Sequence, residues 1–311
     1  MFNHWRARPK SDFSGFAPET ARWRWGIASR ASIPPALTTL LWIILATAVS
    51  GVLSVLAAGI FLALPARARE GALPHLVSFA TGALLGAALL GLIPHAVEGA
   101  GIENVHEVGI ALIAGIALFF VLEKFLLWRH CHDDHCAEHP VGDAHEHDHH
   151  GHDHAHQHEQ ARKKASGVLV LVGDALHNVL DGVLIAAAFL TDVHLGIVTA
   201  LAIMAHEIPQ EVGNFAVLLN SGVSRRRALF LNLMTSLTAV VGGVVGFFAL
   251  EKALAALPFA LAVAASSLLY VAVADLIPGL HRKIDPRSSV TQVVLIGLGI
   301  ALIAFAENQS H

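Results

Sequence analysis

The chain has 311 residues, of which 55% are hydrophobic and 14% charged, and its mean hydropathy is +0.60. A soluble domain carries about 25% charged residues, so this deficit, with repeated long apolar runs, excludes a soluble enzyme and marks an all-α polytopic membrane protein. The net charge of −4 averages over loops and decides little, whereas the two cysteines, neighbours in one polar stretch, exclude a disulfide framework.

In chain order, residues 1–35 form a polar tail bearing Arg and Trp, without an apolar signal-type core at its start. Trp23 and Trp25 suit a bilayer interface. Hydropathy then predicts eight spans, at 37–64, 74–97, 106–128, 166–190, 194–220, 226–251, 257–280 and 289–307. Each is long enough to cross a hydrocarbon layer of about 30 Å. Three helices thus occupy 36–128 and five occupy 166–307, separated by a hydrophilic stretch at 129–165 and followed by a short tail at 308–311.

Loop charges predict the orientation. With the N-terminus outside, the loops at 65–73, 129–165, 221–225 and 281–288, with their flanks, hold 13 basic residues, and the opposite side holds Lys252 alone. The six basic residues between Arg6 and Arg30 run against this bias, but the four loops agree with one another. Both termini are therefore expected outside and the 129–165 stretch in the cytoplasm.

That stretch is rich in metal-ligand side chains. Twelve of the 21 histidines fall between His130 and His158. Cys131, His132, His135 and Cys136 come first, then His145, His147, His149, His150, His152, His154, His156 and His158. So polar and repetitive a segment cannot bury a core, and it is expected to be disordered without metal. Its imidazoles, thiolates and carboxylates suit borderline-soft cations, zinc above all, although the spacing is not that of a folded zinc finger.

Two apolar spans are themselves interrupted by ligand residues. The fourth contains Asp174, His177, Asn178 and Asp181, and the fifth contains His206, Glu207, Gln210, Glu211 and Asn214. Ionisable groups at bilayer depth cost at least a few kcal/mol each, so they face a pathway or a site. His177 and Asp181 are four apart and share a helical face, as do His206 with Gln210 and Glu207 with Glu211. Two such faces opposed give a four-coordinate zinc from His177, Asp181, His206 and either Gln210 or Glu207, with Asn178 close by.

Around these ligands, Asp174, Glu211 and Asn214 are expected to steer the imidazoles and guide the ion. Pro209 should free the carbonyl of Ala205 and kink the fifth helix, and Gly182 and Gly213 should allow close helix approach. Asn232, Ser236 and Asp275 either line the route or pair with one another. His95, with Glu98, is either an outer collecting point or a solvated helix end.

At these residues the sequence resembles the ZIP (Zrt/Irt-like) family, most closely its LIV-1 branch, whose fourth and fifth helices carry HNxxDG and HExPHE patterns. They stand here as His177-Asn178-Val179-Leu180-Asp181-Gly182 and His206-Glu207-Ile208-Pro209-Gln210-Glu211. Gly82 to Gly86, Leu92-Ile93-Pro94-His95, Leu122-Glu123-Lys124 and Tyr270 to Pro278 also match. The resemblance implies eight helices with both termini outside, a metal site between helices four and five, and a homodimer. It also implies metal movement toward the cytoplasm by an elevator-like slide of helices 1, 4, 5 and 6 against 2, 3, 7 and 8. Gln210 departs from the branch's second His and Asn214 from its frequent Asp. Leu237-Thr238-Ala239 offers no sixth-helix carboxylate, so one transport metal is expected.

The function expected is a zinc-preferring importer in a bacterial inner membrane. Zinc is its substrate rather than a cofactor, and iron, manganese or cadmium are accepted with less discrimination. Its partners are the ion, the bilayer and a second copy, with no nucleic acid. Export on the same ligands is the alternative. An intramembrane metalloprotease is a remote one, since Gln210 replaces the second His of an HExxH motif and the LDG-like triplet precedes the His-Glu pair.

Overall fold

The computed structural model describes residues 35–132, 152–281 and 286–308, with the backbone alone at Pro35, 125–132, 152–166 and 286–287. These residues form eight helices, α1 (Pro35–Ala63), α2 (Ala66–Ala100), α3 (Val105–His132), α4 (His152–Thr191), α5 (Val193–Asn220), α6 (Arg225–Glu251), α7 (Leu254–Leu280) and α8 (Pro286–Glu307). Seven are long and apolar enough to cross a membrane, and the protein is an all-α polytopic membrane protein as its composition predicts. The exception is α5, long enough at 28 residues but diluted by the polar groups it carries. Large apolar side chains such as Ile60, Ile113 and Phe305 point outward, which suits lipid and not water.

Two boundaries differ from the hydropathy reading. α2 begins at Ala66 rather than 74 and runs through Pro74, because Arg67, Arg69 and Glu70 extend it as a polar first turn that hydropathy cannot register. α4 begins at His152 rather than 166. Residues 159–165, Glu-Gln-Ala-Arg-Lys-Lys-Ala, are good helix formers, and they prolong a helix that needs no new nucleus. The back of the His-rich stretch is thus helical, not the disordered loop expected, while 133–151 lie outside the described residues.

Proline shapes α2 and α7 in the same way. Each contains Leu-Ile-Pro, and in each the backbone widens just before it, at Ala87–Leu92 and Val271–Leu276. Ile93 N–H reaches back to Ala88 O, and Ile277 N–H to Ala272 O. A proline has no N–H and crowds the preceding turn, and an i→i+5 turn absorbs the misfit. Pro209 is gentler than expected, since α5 continues through it unbroken.

The helices sort into two sets. The most extensive pairings within one are α4 with α6, α1 with α5, and α4 with α5; within the other they are α2 with α8 and α3 with α7. Glycine makes each set tight. A Cβ on Gly182 of α4 would lie 1.9 Å from Ala239 O of α6, and one on Gly242 would lie 1.9 Å from Val179 O. In the second set, a Cβ on Gly82 would lie 2.1 Å from Ile296 O. Gly213, by contrast, has nothing within 4 Å, so its expected role in close approach does not hold. The largest core packs Leu84, Ile185, Ile203 and Leu268 from both sets.

Candidate metal site

α4 and α5 bring four ligand side chains to one point. His177 and Asp181, one turn apart on α4, approach with Nε2 and Oδ2 3.4 Å apart. His206 of α5 places its Nε2 3.2 Å from that of His177 and 3.6 Å from Asp181 Oδ2. The two rings stand nearly perpendicular, at 87°, so their nitrogen tips meet rather than their faces. Glu207 completes the group, with one atom from each of the four residues lying within 4.8 Å of the others.

The spacing of three of these donors can be compared with that of ligands on an ion. Ligands about 2.0–2.1 Å from a tetrahedral zinc lie about 3.4 Å from one another. Octahedral ligands at the same bond length lie about 2.9 Å apart. The triangle of 3.2, 3.4 and 3.6 Å matches the tetrahedral edge.

Burial gives the cage a strong appetite for a cation. Asp181, His206 and Glu207 are almost wholly buried, and Asp181 Oδ2 and Glu207 Oε1 have no hydrogen-bond partner. Among the described residues no Lys or Arg pairs with them. Orphaned buried carboxylate oxygens cost several kcal/mol, which a divalent ion would offset. The His177 side chain keeps 23% of its surface exposed against 1% for His206, so the ion's approach is past His177.

Polar side chains hold the cage from behind. Asp174 accepts hydrogen bonds from Gln210, Asn214 and Thr235, joining α4 to α5 and α6. Asn178 Nδ2 donates to the main-chain oxygen of Asp174 at 3.0 Å. Ser236 of α6 donates to Glu211 at 2.5 Å, and Ser54 of α1 makes a long bond of 3.5 Å to Glu207. α6 can reach in because its helix loosens at Leu237, where Thr238 Oγ1 bonds Ala175 O of α4 at 2.8 Å.

A cavity of about 800 Å³ starts at His177 and His206. Its walls are the C-terminal half of α3, residues 169–180 in the middle of α4, the C-terminal halves of α5 and α7, and Leu73, Pro74 and Val77 of α2. The portions from α2, α3, α5 and α7 are on the side of the connections at 64–65, 133–151, 221–224 and 281–285. The large apolar core fills the opposite half. The site is therefore reached from the basic-loop face and closed by packing on the other.

The sequence profile of the ZIP zinc transporter family matches residues 37–307. The chain belongs to that family. Zinc transporter ZIP13 of Homo sapiens is 32% identical over 287 residues, covering 82% of this chain and 76% of its own length. Zinc transporter SLC39A7 of Rattus norvegicus is 30% identical over 73% of this chain and 61% of its own length. Zinc transporter YKE4 of Saccharomyces cerevisiae is 30% identical over 75% and 70%, respectively. These relatives are named transporters, not enzymes, and the likeness to the LIV-1 branch stands.

Within this ZIP chain the expected ligands fall into distinct places. His177, Asp181, His206 and Glu207 converge. Gln210 lines the same cavity, but its amide nitrogen is engaged by Asp174. Asp275 is exposed on the far wall beside Tyr270, whose hydroxyl donates to Glu123 of α3. His95 lies outside the cavity wall and bonds the carbonyl of Gly91 in its own helix at 2.9 Å. Of the His-rich ligands, Cys131, His132, His152, His154, His156 and His158 are described only as helix backbone. His135, Cys136, His145, His147, His149 and His150 lie outside the described residues.

Thr235 and Ser54 escaped the sequence reading. Thr47, Ser50 and Ser54, all buried, form a polar stripe at helical spacing within α1, and that stripe was the available signal for Ser54.

Proposed function

We propose that this ZIP protein is a zinc-preferring transporter that moves the ion toward the face bearing its basic loops, the cytoplasm, through a single site within the bilayer. The tetrahedral spacing of His177, Asp181 and His206 is the observation that carries the zinc preference. Iron, manganese and cadmium are weaker substrates on the same donors. The relatives' names as zinc transporters support the same reading.

Direction follows from loop charge. The cavity reaches the face that carries Arg67, Arg69, Lys124 and Arg225 to Arg227, and basic loops lie inside. Both termini then lie outside. The converging ligands belong to α4 and α5 of one helix set, so a slide of α1, α4, α5 and α6 against α2, α3, α7 and α8 would carry the site intact. The His-rich stretch is a cytoplasmic metal-binding segment, the working unit is a homodimer, and the membrane is a bacterial inner membrane.

The test is the metal content of cells expressing wild type or His177→Ala. A rise in cellular zinc that the substitution abolishes supports import, and a fall in zinc establishes export on the same ligands.

A further inference from the structure

Asp174 lies two turns before Asp181 on α4, is 6% exposed and lines the cavity. Every side-chain contact it makes is as an acceptor. Gln210 Nε2 reaches its Oδ1 at 3.2 Å, Asn214 Nδ2 reaches the same oxygen at 2.6 Å, and Thr235 Oγ1 reaches Oδ2 at 2.5 Å. Asn214 and Thr235, from two other helices, thus fix the carboxylate that Gln210 meets.

Gln210 stands one turn after His206 on the same face of α5, and both line the cavity. Its amide has one end that can ligate a cation, the carbonyl Oε1, and one that cannot, the Nε2 amino group. A carboxylate accepts N–H and repels an amide oxygen. Asp174 therefore decides which end of Gln210 turns toward it and which remains for the ion.

We infer that Asp174 is a positioning residue that, by holding Gln210 Nε2, presents Gln210 Oε1 as a fifth, neutral oxygen donor to the zinc held by His177, Asp181, His206 and Glu207, which zinc accepts by expanding from four ligands to five. This rests on those four residues being the transport site. Orienting partners of this kind are typically worth about 10–100-fold in metal affinity. An Asn at 174 would offer its own amino group to Gln210 Oε1 and so capture the ligand oxygen itself.

The test is a double-mutant cycle on the purified full-length protein in detergent, read as zinc affinity by chelator competition. The signal at the site is the binding lost in His206→Ala. Asp174→Asn is expected to lower affinity about 10–100-fold in the wild-type background. In a Gln210→Ala background it is expected to change affinity by less than about 2-fold, since no amide remains to be oriented. Thr235→Val, which leaves Asp174 in place but removes one of its anchors, should give a smaller loss that also vanishes with Gln210→Ala. Equal losses in both backgrounds would show Asp174 acting independently of Gln210 and overturn the inference, as would an unchanged affinity in Asp174→Asn. Zinc binding that survives His206→Ala undiminished would instead overturn the site itself, so the two failures are distinct.

Discussion

The crossing of α4 and α6 yields the sharpest stability prediction, because it stands directly against the metal cage. Gly182 follows Asp181, and a Cβ there would lie 1.9 Å from Ala239 O and 2.6 Å from Gly243 N. A carbon needs about 3.3–3.6 Å from a carbonyl oxygen, so Gly182→Ala must open the crossing by roughly 1.5 Å. Both neighbours are backbone and cannot rotate away. Overpacking of this kind costs about 1–3 kcal/mol or more.

The displacement also reaches the ligands. Zinc bond lengths tolerate about 0.2 Å, and a shift of α4 on that scale moves His177 and Asp181 relative to His206 and distorts the triangle they form. Gly213→Ala is the control, since nothing lies within 4 Å of it and helix propensity favours alanine by up to about 1 kcal/mol. Thermal unfolding in detergent and zinc uptake by liposomes should show Gly182→Ala impaired in both and Gly213→Ala unimpaired. A Gly182→Ala protein as stable and as active as wild type would refute the packing argument, and so would equal damage at the two glycines.

Other outcomes follow from the site. Zinc K-edge absorption of the loaded protein, after subtracting His206→Ala to remove loop-bound metal, should give nitrogen and oxygen ligands at about 2.0–2.1 Å; an octahedral all-oxygen shell would contradict the donor assignment. Val172→Cys, on the cavity wall, in a background with Cys131 and Cys136 replaced by serine, should react with an impermeant thiol reagent from the basic-loop face. Labelling only from the opposite face would reverse the direction of access. Protons compete with the ion for the imidazole and carboxylate donors, so zinc uptake should slow as pH falls from about 8 to 5.5, and a flat profile would exclude that competition.

Much of this was legible in the chain because both decisive patterns are local. Apolar runs of bilayer length mark the helices, and spacing of four places His177 over Asp181 and His206 over Gln210. The partner that engages Gln210 was not legible, because it depends on what α4 and α6 present across the gap. Asp174 is fixed by Thr235, some sixty positions away, and no spacing within a helix reveals that partnership. The start of α4 was misjudged for a different reason: composition reads histidine-rich polarity as disorder, whereas a helix already held by packing extends cheaply into good helix formers. The two glycines beside the ligands look alike in sequence, yet Gly182 meets a backbone and Gly213 meets nothing.

The central claim is that zinc crosses the membrane through the cage of His177, Asp181, His206 and Glu207. Flux of zinc into liposomes containing purified protein tests it most directly, comparing wild type with His206→Ala, a side chain 2% exposed and within reach of two other ligands. The account predicts zinc entry with wild type and none above protein-free liposomes with a folded His206→Ala protein. Wild-type flux through His206→Ala would contradict it.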